Sequence, residues 1–184
     1  MTTEQADRDL LVERDGHVVV LTFNREERLN ALGVQLQAEL ADAWTEIKAD
    51  PSVRAVVIRG VGNRAFSVGS DMKETVDRGG FRETSNDVRE AVRLTALQND
   101  IWLPTVVAVN GVCAGGGLHF VADADVVIAS EHASFVDTHV NVGQVTALEP
   151  IGLLYRIGVG RALRMTVLGS AERLSAHEAC RIGL

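Results

Sequence analysis

The chain reads as an α/β fold, and three observations predict it. Short β-branched runs, such as VRAVVIR at 53–59 and TVVAV at 105–109, alternate with stretches of helical period. Twice a buried strand feeds a glycine loop and then a helix start: AVVIRG at 55–60 leads to Gly69-Ser70, and VVAVNG at 106–111 leads to Gly115-Gly116-Gly117. The composition, 46% hydrophobic and 23% charged over 184 residues, is that of one globular core.

The elements follow in order. LLVER (10–14) and HVVVLTF (17–23) flank Asp15-Gly16, a hairpin signal. Leu36, Leu40, Trp44 and Ile47 recur at helical spacing and predict a helix from Val34 to about Ala49, which Asp50-Pro51 ends. A strand over 53–59 runs into the loop GVGNRAFSVGSD. Residues 75–86 read as a loop, and Asp87 to Trp102 as a helix stopping before Pro104. The strand 105–109 precedes GVCAGGGLHF, and the apolar runs 125–129 and 133–136 predict two more strands. Helical segments after Pro150, from about Arg161 to Leu168 and from Ser175 to Ile182, complete the order.

Several function classes are excluded. The net charge is −7 and no Lys/Arg run exists to neutralise phosphates, so nucleic acid is not expected as a partner. No apolar run approaches the ~20 residues of a membrane span, and the polar start MTTEQADRDL does not read as a signal peptide. Cys113 and Cys180 form no CxxC pair and read as reduced thiols of a cytoplasmic protein. Gly60-Val61-Gly62-Asn63-Arg64-Ala65 formally fits a dinucleotide fingerprint, but no crossover helix and no acidic strand end follow it. Ser70 lies in VGSDM, which is not a G-x-S-x-G elbow. Three glycines in a row admit either tight helix-on-sheet packing or the close approach of a ligand to the backbone.

NREERLNAL (24–32), RAFSVGSDMKE (64–74), VVAVNGVCAGGGLHFVADADVVIAS (106–130) and GRALRMTVLGSAERLSAHEACRIGL (160–184) together resemble the enoyl-CoA hydratase/isomerase (crotonase) superfamily. The resemblance covers nearly the whole chain. It implies a crotonase-like spiral of ββα units over 1–184, without the family's further C-terminal helices, and a homotrimer or hexamer. It implies an oxyanion hole made by the backbone N–H groups of Ser70 and Gly116, which hold the thioester carbonyl of an acyl-CoA. It also implies that Ser70, Asp71, Met72, Lys73 and Gly116 line the substrate site, with Lys73 either at a CoA phosphate or simply solvated. Coenzyme A enters as part of the substrate; no separate cofactor and no metal are expected.

Where the resembling hydratases carry two catalytic glutamates, this chain carries His119, two places after the last glycine, and His139, in Phe135-Val136-Asp137-Thr138-His139. Imidazole suits proton transfer near neutral pH. Glu149, before Pro150, reads either as a helix-dipole partner, with Pro150 opening the helix, or as a third group in the pocket that orients His139 or acts as base. Asp137 shares a strand face with His139 and is a weaker candidate. A metal held by His119, His139 and Asp137 lacks close ligand spacing. His17, His132 and His177 receive no functional reading.

Three functions stay open on this reading. The first is acyl-CoA hydration or isomerisation, a lyase-type reaction of fatty acid metabolism. The second is a retro-Claisen-type C–C hydrolysis of a small β-diketone, which need not involve CoA. The third is a catalytically silent scaffold, against which the intact glycine loops argue.

Overall fold

Strands β1 (Leu10–Asp15) and β2 (Val18–Phe23) form an antiparallel hairpin, with Gly16 at φ +57° in the two-residue turn. The computed structural model describes residues 8–80 and 92–184. Helix α1 (Val34–Ala49) follows and buries Leu36, Leu40, Trp44 and Ile47, the four residues at helical spacing. Each such side chain contributes about 1.5–3 kcal/mol by leaving water.

The next segments repeat one plan. Strand β3 (Ala55–Gly60) is followed by β4 (Ala65–Ser67) and helix α2 (Met72–Asp77). Strand β5 (Thr105–Val109) is followed by β6 (Val112–Ala114) and helix α3 (Leu118–Asp123). Strand β7 (Val126–Ala129) is followed by β8 (Ser134–Val136) and helix α4 (Leu148–Ile157). In every unit the first strand joins one sheet, of order β1-β2-β3-β5-β7, and the second joins another. Helix α5 (Val159–Leu168), strand β9 (Arg173–Ser175) and helix α6 (Ala176–Ile182) follow, which makes the second sheet β4-β6-β8-β9. The strands pair in parallel except at β1–β2 and β8–β9. Two echoing strand–glycine segments are thus two of three ββα units.

Phe23, Phe66 and Phe120 pack together with ring centroids 5.1–5.9 Å apart. They tie the hairpin, β4 and α3 into one core. Phe120 is the neighbour of His119, so this cluster sets the direction from which His119 leaves α3.

Some expectations need correction. Residues 92–102 are not helical but hold a short 3-10 turn at Leu97–Asn99, while 87–91 lie outside the described residues. Side chains have captured the backbone there. Gln98 Oε1 accepts from the N–H groups of Leu94 and Thr95, and Asn99 Nδ2 donates to the carbonyls of Arg93 and Thr95. Thr75 to Asp77 belong to α2, whose start is capped by the Asp71 carboxylate at Glu74 N–H, and 81–86 lie outside the described residues. Helix α4 begins at Leu148, so Pro150 falls inside its first turn, where a missing N–H leaves no bond unmade. Strands β4, β6 and β9, three residues each, escape any periodicity. Among the described residues no helix is long and apolar enough to cross a membrane.

Candidate active site

The parallel strands β4, β6 and β8 lie side by side and end at one edge. Their carboxyl ends continue into Gly69-Ser70, Gly115-Gly116 and Asp137–His139. The three ββα units therefore deliver three short loops to one place, the usual location of a ligand site in parallel α/β architecture.

The glycines there have different reasons. Gly115 has φ +50°, and a Cβ on Gly117 would stand 2.7 Å from the Ser67 carbonyl oxygen, so these two serve backbone turning and close packing. Gly69 combines φ +83° with a Cβ position 2.7 Å from Gly116 N. Gly116 differs: a Cβ would meet Leu32 Cδ1 at 3.4 Å, Gly69 Cα at 3.6 Å and Ser70 N at 3.8 Å, all ordinary contacts. Nothing in the fold itself forbids a side chain at Gly116; one would stand beside the Ser70 N–H.

Both N–H groups are available. Leu32 bridges to this loop by donating to Gly69 O and accepting from Asp71 N, which leaves Ser70 N without an acceptor among the described residues. Gly116 N sits at the start of the 3-10 turn Gly115–Gly117, where N–H groups have no partner within the helix.

A cavity of about 530 Å³ opens beside them, and its lining includes Ser70, Gly116, His119, His139 and Glu149. Glu149 is 4% exposed and His119 7%. His119 Nε2 lies 3.0 Å and His139 Nε2 3.4 Å from one atom, Glu149 Oε1. On the far side of His139, Nδ1 is 2.7 Å from Asp137 Oδ1, which also accepts from the His139 backbone N–H. Thr146 Oγ1 donates to the same carboxylate. On the far side of His119, Nδ1 is 3.1 Å from Gln98 Nε2. Hydrogen bonds thus join Gln98 to His119 and both His139 and Thr146 to Asp137, while Glu149 stands between the two imidazoles at ion-pair distance from each.

The electrostatics follow. The bond from Asp137 and the nearby Glu149 charge hold the His139 imidazole above its ordinary value, against the opposing effect of burial. Burial pushes both carboxyls up, but it is outweighed at Asp137 by the bonds from His139 and Thr146. At Glu149 it is outweighed by the neighbouring His119 and His139 imidazoles, and both acids end below their ordinary values. The buried array therefore favours an imidazolium at His139 between two carboxylates.

The other predicted residues divide. Asp71 lines the cavity but is also buried against Arg25, with Nη2 3.2 Å from Oδ2. Arg25 further pairs with Asp9 and Glu74 and donates to Ala31 O. Glu74 in turn accepts from Val34 N–H at the start of α1, which fastens the Ser70 loop to α1. Met72 and Lys73 sit outward on α2 and are not among the cavity-lining residues. Gln98 and Thr146 were missed, because their role is a contact across the fold and no local pattern marks it.

The family model for enoyl-CoA hydratase/isomerase matches residues 13–184. The chain belongs to this family. Among curated relatives of the hydratase/isomerase family, it is 33% identical over 181 residues to an (E)-benzylidenesuccinyl-CoA hydratase of Thauera aromatica, covering 94% of this chain and 66% of that protein. It is equally identical to a short-chain-enoyl-CoA hydratase of Clostridium acetobutylicum, with 96% and 67% covered. A crystal structure of an enoyl-CoA hydratase/isomerase from Mycobacterium paratuberculosis superposes with TM-score 0.84 at 35% identity, over 95% of this chain and 68% of that one. The chain thus spans about two thirds of the length of these hydratase/isomerase relatives, and its fold is the crotonase fold they share.

Proposed function

We propose that the cavity binds an acyl-CoA thioester and adds water across the double bond of its enoyl group. The observation that carries this reading is the placement of Glu149 between His119 and His139, in a cavity that Ser70 and Gly116 also line.

The proposed chemistry uses the Ser70 and Gly116 N–H groups, Glu149 and His139. The thioester oxygen accepts from Ser70 N–H and Gly116 N–H, where enolate charge develops. Removal of one such donor costs roughly 3 kcal/mol of transition-state stabilisation. The Glu149 carboxylate takes a proton from water as its oxygen attacks C3, and the electron pair moves through C2 onto the thioester oxygen. When the enolate collapses, C2 takes the Nε2 proton of the His139 imidazolium. Glu149 is then protonated and His139 neutral. One proton passing from Glu149 to His139 Nε2, over the 3.4 Å between them, restores both. Water is consumed and every proton returns to its place. The opposite pKa shifts of Glu149 and His139 are in keeping with the resting forms this assignment starts from, an ionised Glu149 and a protonated His139.

The assembly belongs to the same proposal. Ile151, Tyr155, Val159 and Leu163 on α4 and α5 are 54–88% exposed, an apolar face in keeping with a homotrimer or hexamer, which sedimentation would measure.

The test is incubation with short trans-2-enoyl-CoA esters, with products identified by mass. A product heavier by one water, lost in Glu149→Gln, supports hydration. Two fragments from a β-diketone, with CoA esters inert, would replace it by C–C hydrolysis. Turnover indifferent to both Glu149→Gln and His139→Gln would remove the assigned roles.

A further inference from the structure

We infer that Gln98 is a positioning residue: it fixes His119 as the tautomer with hydrogen on Nε2, making His119 a permanent donor to Glu149 and leaving proton exchange to Glu149 and His139. The inference rests on the catalytic reading of Glu149 given above, but its structural half stands on the hydrogen-bond network alone.

The Gln98 amide has only one orientation that satisfies its neighbours. Oε1 lies 2.9 Å from Leu94 N and 3.3 Å from Thr95 N, and both of these are donors. Turning the amide over would set its NH2 group against two N–H groups. With Oε1 so held, Nε2 faces His119 Nδ1 at 3.1 Å and must donate to it. Nδ1 is then the acceptor, and the ring hydrogen of neutral His119 lies on Nε2, 3.0 Å from Glu149 Oε1.

The turn that carries Gln98 is itself anchored. Gln98 N–H donates to Thr95 Oγ1, and Thr95 Oγ1 donates to Asp123 Oδ2 at 2.6 Å. Asp123 belongs to α3, the helix that bears His119. Gln98 therefore reaches His119 from a platform fixed to the same helix, which limits its freedom to let go.

The two histidines differ in consequence. His139 faces a carboxylate at Nδ1, which accepts from that nitrogen, whereas His119 faces an amide donor there, which makes the nitrogen an acceptor. Two identical side chains on one glutamate oxygen are thereby given different work.

Gln98→Glu is the informative variant, because a carboxylate still accepts from Leu94 N and Thr95 N while presenting an oxygen to Nδ1. Gln98→Met is the neutral companion, able neither to donate nor to accept. The measurement is ¹⁵N–¹H correlation of the imidazole nitrogens, with His119 assigned by its loss in His119→Gln, alongside kcat and KM for an enoyl-CoA ester. Wild type is expected to show Nδ1 unprotonated and Nε2 protonated at His119, and Gln98→Glu to protonate Nδ1. If the loss matches that known for outer partners of metal-bound histidines, kcat should fall about 10- to 100-fold in both variants, with KM changed less. A proton on Nδ1 in the wild type would overturn the tautomer assignment. A changed tautomer with unchanged kcat would overturn the positioning role. If no enoyl-CoA ester is turned over, the proposed function fails, while the nitrogen spectrum still decides the tautomer.

Discussion

His119 and His139 leave different elements of the fold yet bring their Nε2 atoms to the same oxygen, Oε1 of Glu149, at 3.0 and 3.4 Å. A carboxylate oxygen can accept from both rings, but a neutral His139 that keeps its hydrogen on Nδ1 for Asp137 would face it with a lone pair. A second ring proton, on Nε2 of His139, would remove that conflict, so the protonation of this pair is where the proposed activity and the stability of the site meet.

Glu149→Gln keeps the size of the side chain and removes its charge. Hydration of an enoyl-CoA ester is expected to fall by about 10²- to 10⁴-fold in kcat, the range of a lost general base. Thioester binding should survive, and calorimetric titration with a saturated acyl-CoA separates the two effects.

Asp137→Asn leaves the shape at Nδ1 but withdraws the charge that raises His139. The acidic form of His139 would then be lost at lower pH than in wild type. The high-pH limb of the kcat profile is expected to move downward, which a pH–rate series over both proteins would read.

Stability should follow the same groups with opposite signs. The folded-state value of His139 is raised, so its contribution is complete below its ordinary value near 6.5 and disappears as pH rises through the folded value. Asp137 and Glu149 are depressed, so their contributions are complete above their ordinary carboxylate values and disappear as pH falls through the folded ones. Denaturant midpoints should therefore peak between the two ranges. The difference between wild type and His139→Gln should shrink on the alkaline side of that peak.

The glycines give a paired test. Gly117→Ala places a methyl 2.7 Å from a backbone oxygen of β4, where no flexible side chain can give way, and should lower stability by about 1–3 kcal/mol, the usual cost of overpacking. Gly116→Ala meets only ordinary contacts and should fold nearly as well as wild type, yet lose turnover because the methyl stands beside Ser70 N–H. Thermal melts combined with kcat/KM distinguish a packing glycine from a ligand glycine.

Arg25→Met removes the partner of three carboxylates, and Asp71 is buried with it. Breaking one side of a buried ion pair commonly costs about 3–5 kcal/mol, so a large fall in the denaturant midpoint is expected. Pairing it with Asp71→Asn should recover part of the loss, a coupling that a double-mutant cycle measures.

The strands with β-branched runs and the amphipathic helix α1 were legible because their signals are local: burial of one face imposes a period on the residues themselves. The same logic failed at 92–102, where an apparent helix gave way to a 3-10 turn. Gln98 and Asn99 satisfied the backbone with their side chains, a competition that periodicity does not register. Strands β4, β6 and β9, three residues each, were too short to show any period. Asp137 was partly legible, since alternation put it on the same face as His139, but its bond to Nδ1 was not.

By itself the sequence determined the α/β class and the repeated strand–glycine unit, and its resemblance to the family pointed to His119, His139, Ser70 and Gly116 as residues to watch. These lie within short motifs, where spacing along the chain is nearly spacing in space. Only the tertiary structure set Glu149, in the first turn of α4, into the cavity beside His119 and His139, and bonded Gln98 to His119 and Thr146 to Asp137. Those contacts join the 3-10 turn before β5, helix α3, the end of β8 and the first turn of α4. Such distances are closed by the pairing of β6 with β8 and the packing of α4, and a linear pattern carries no record of them.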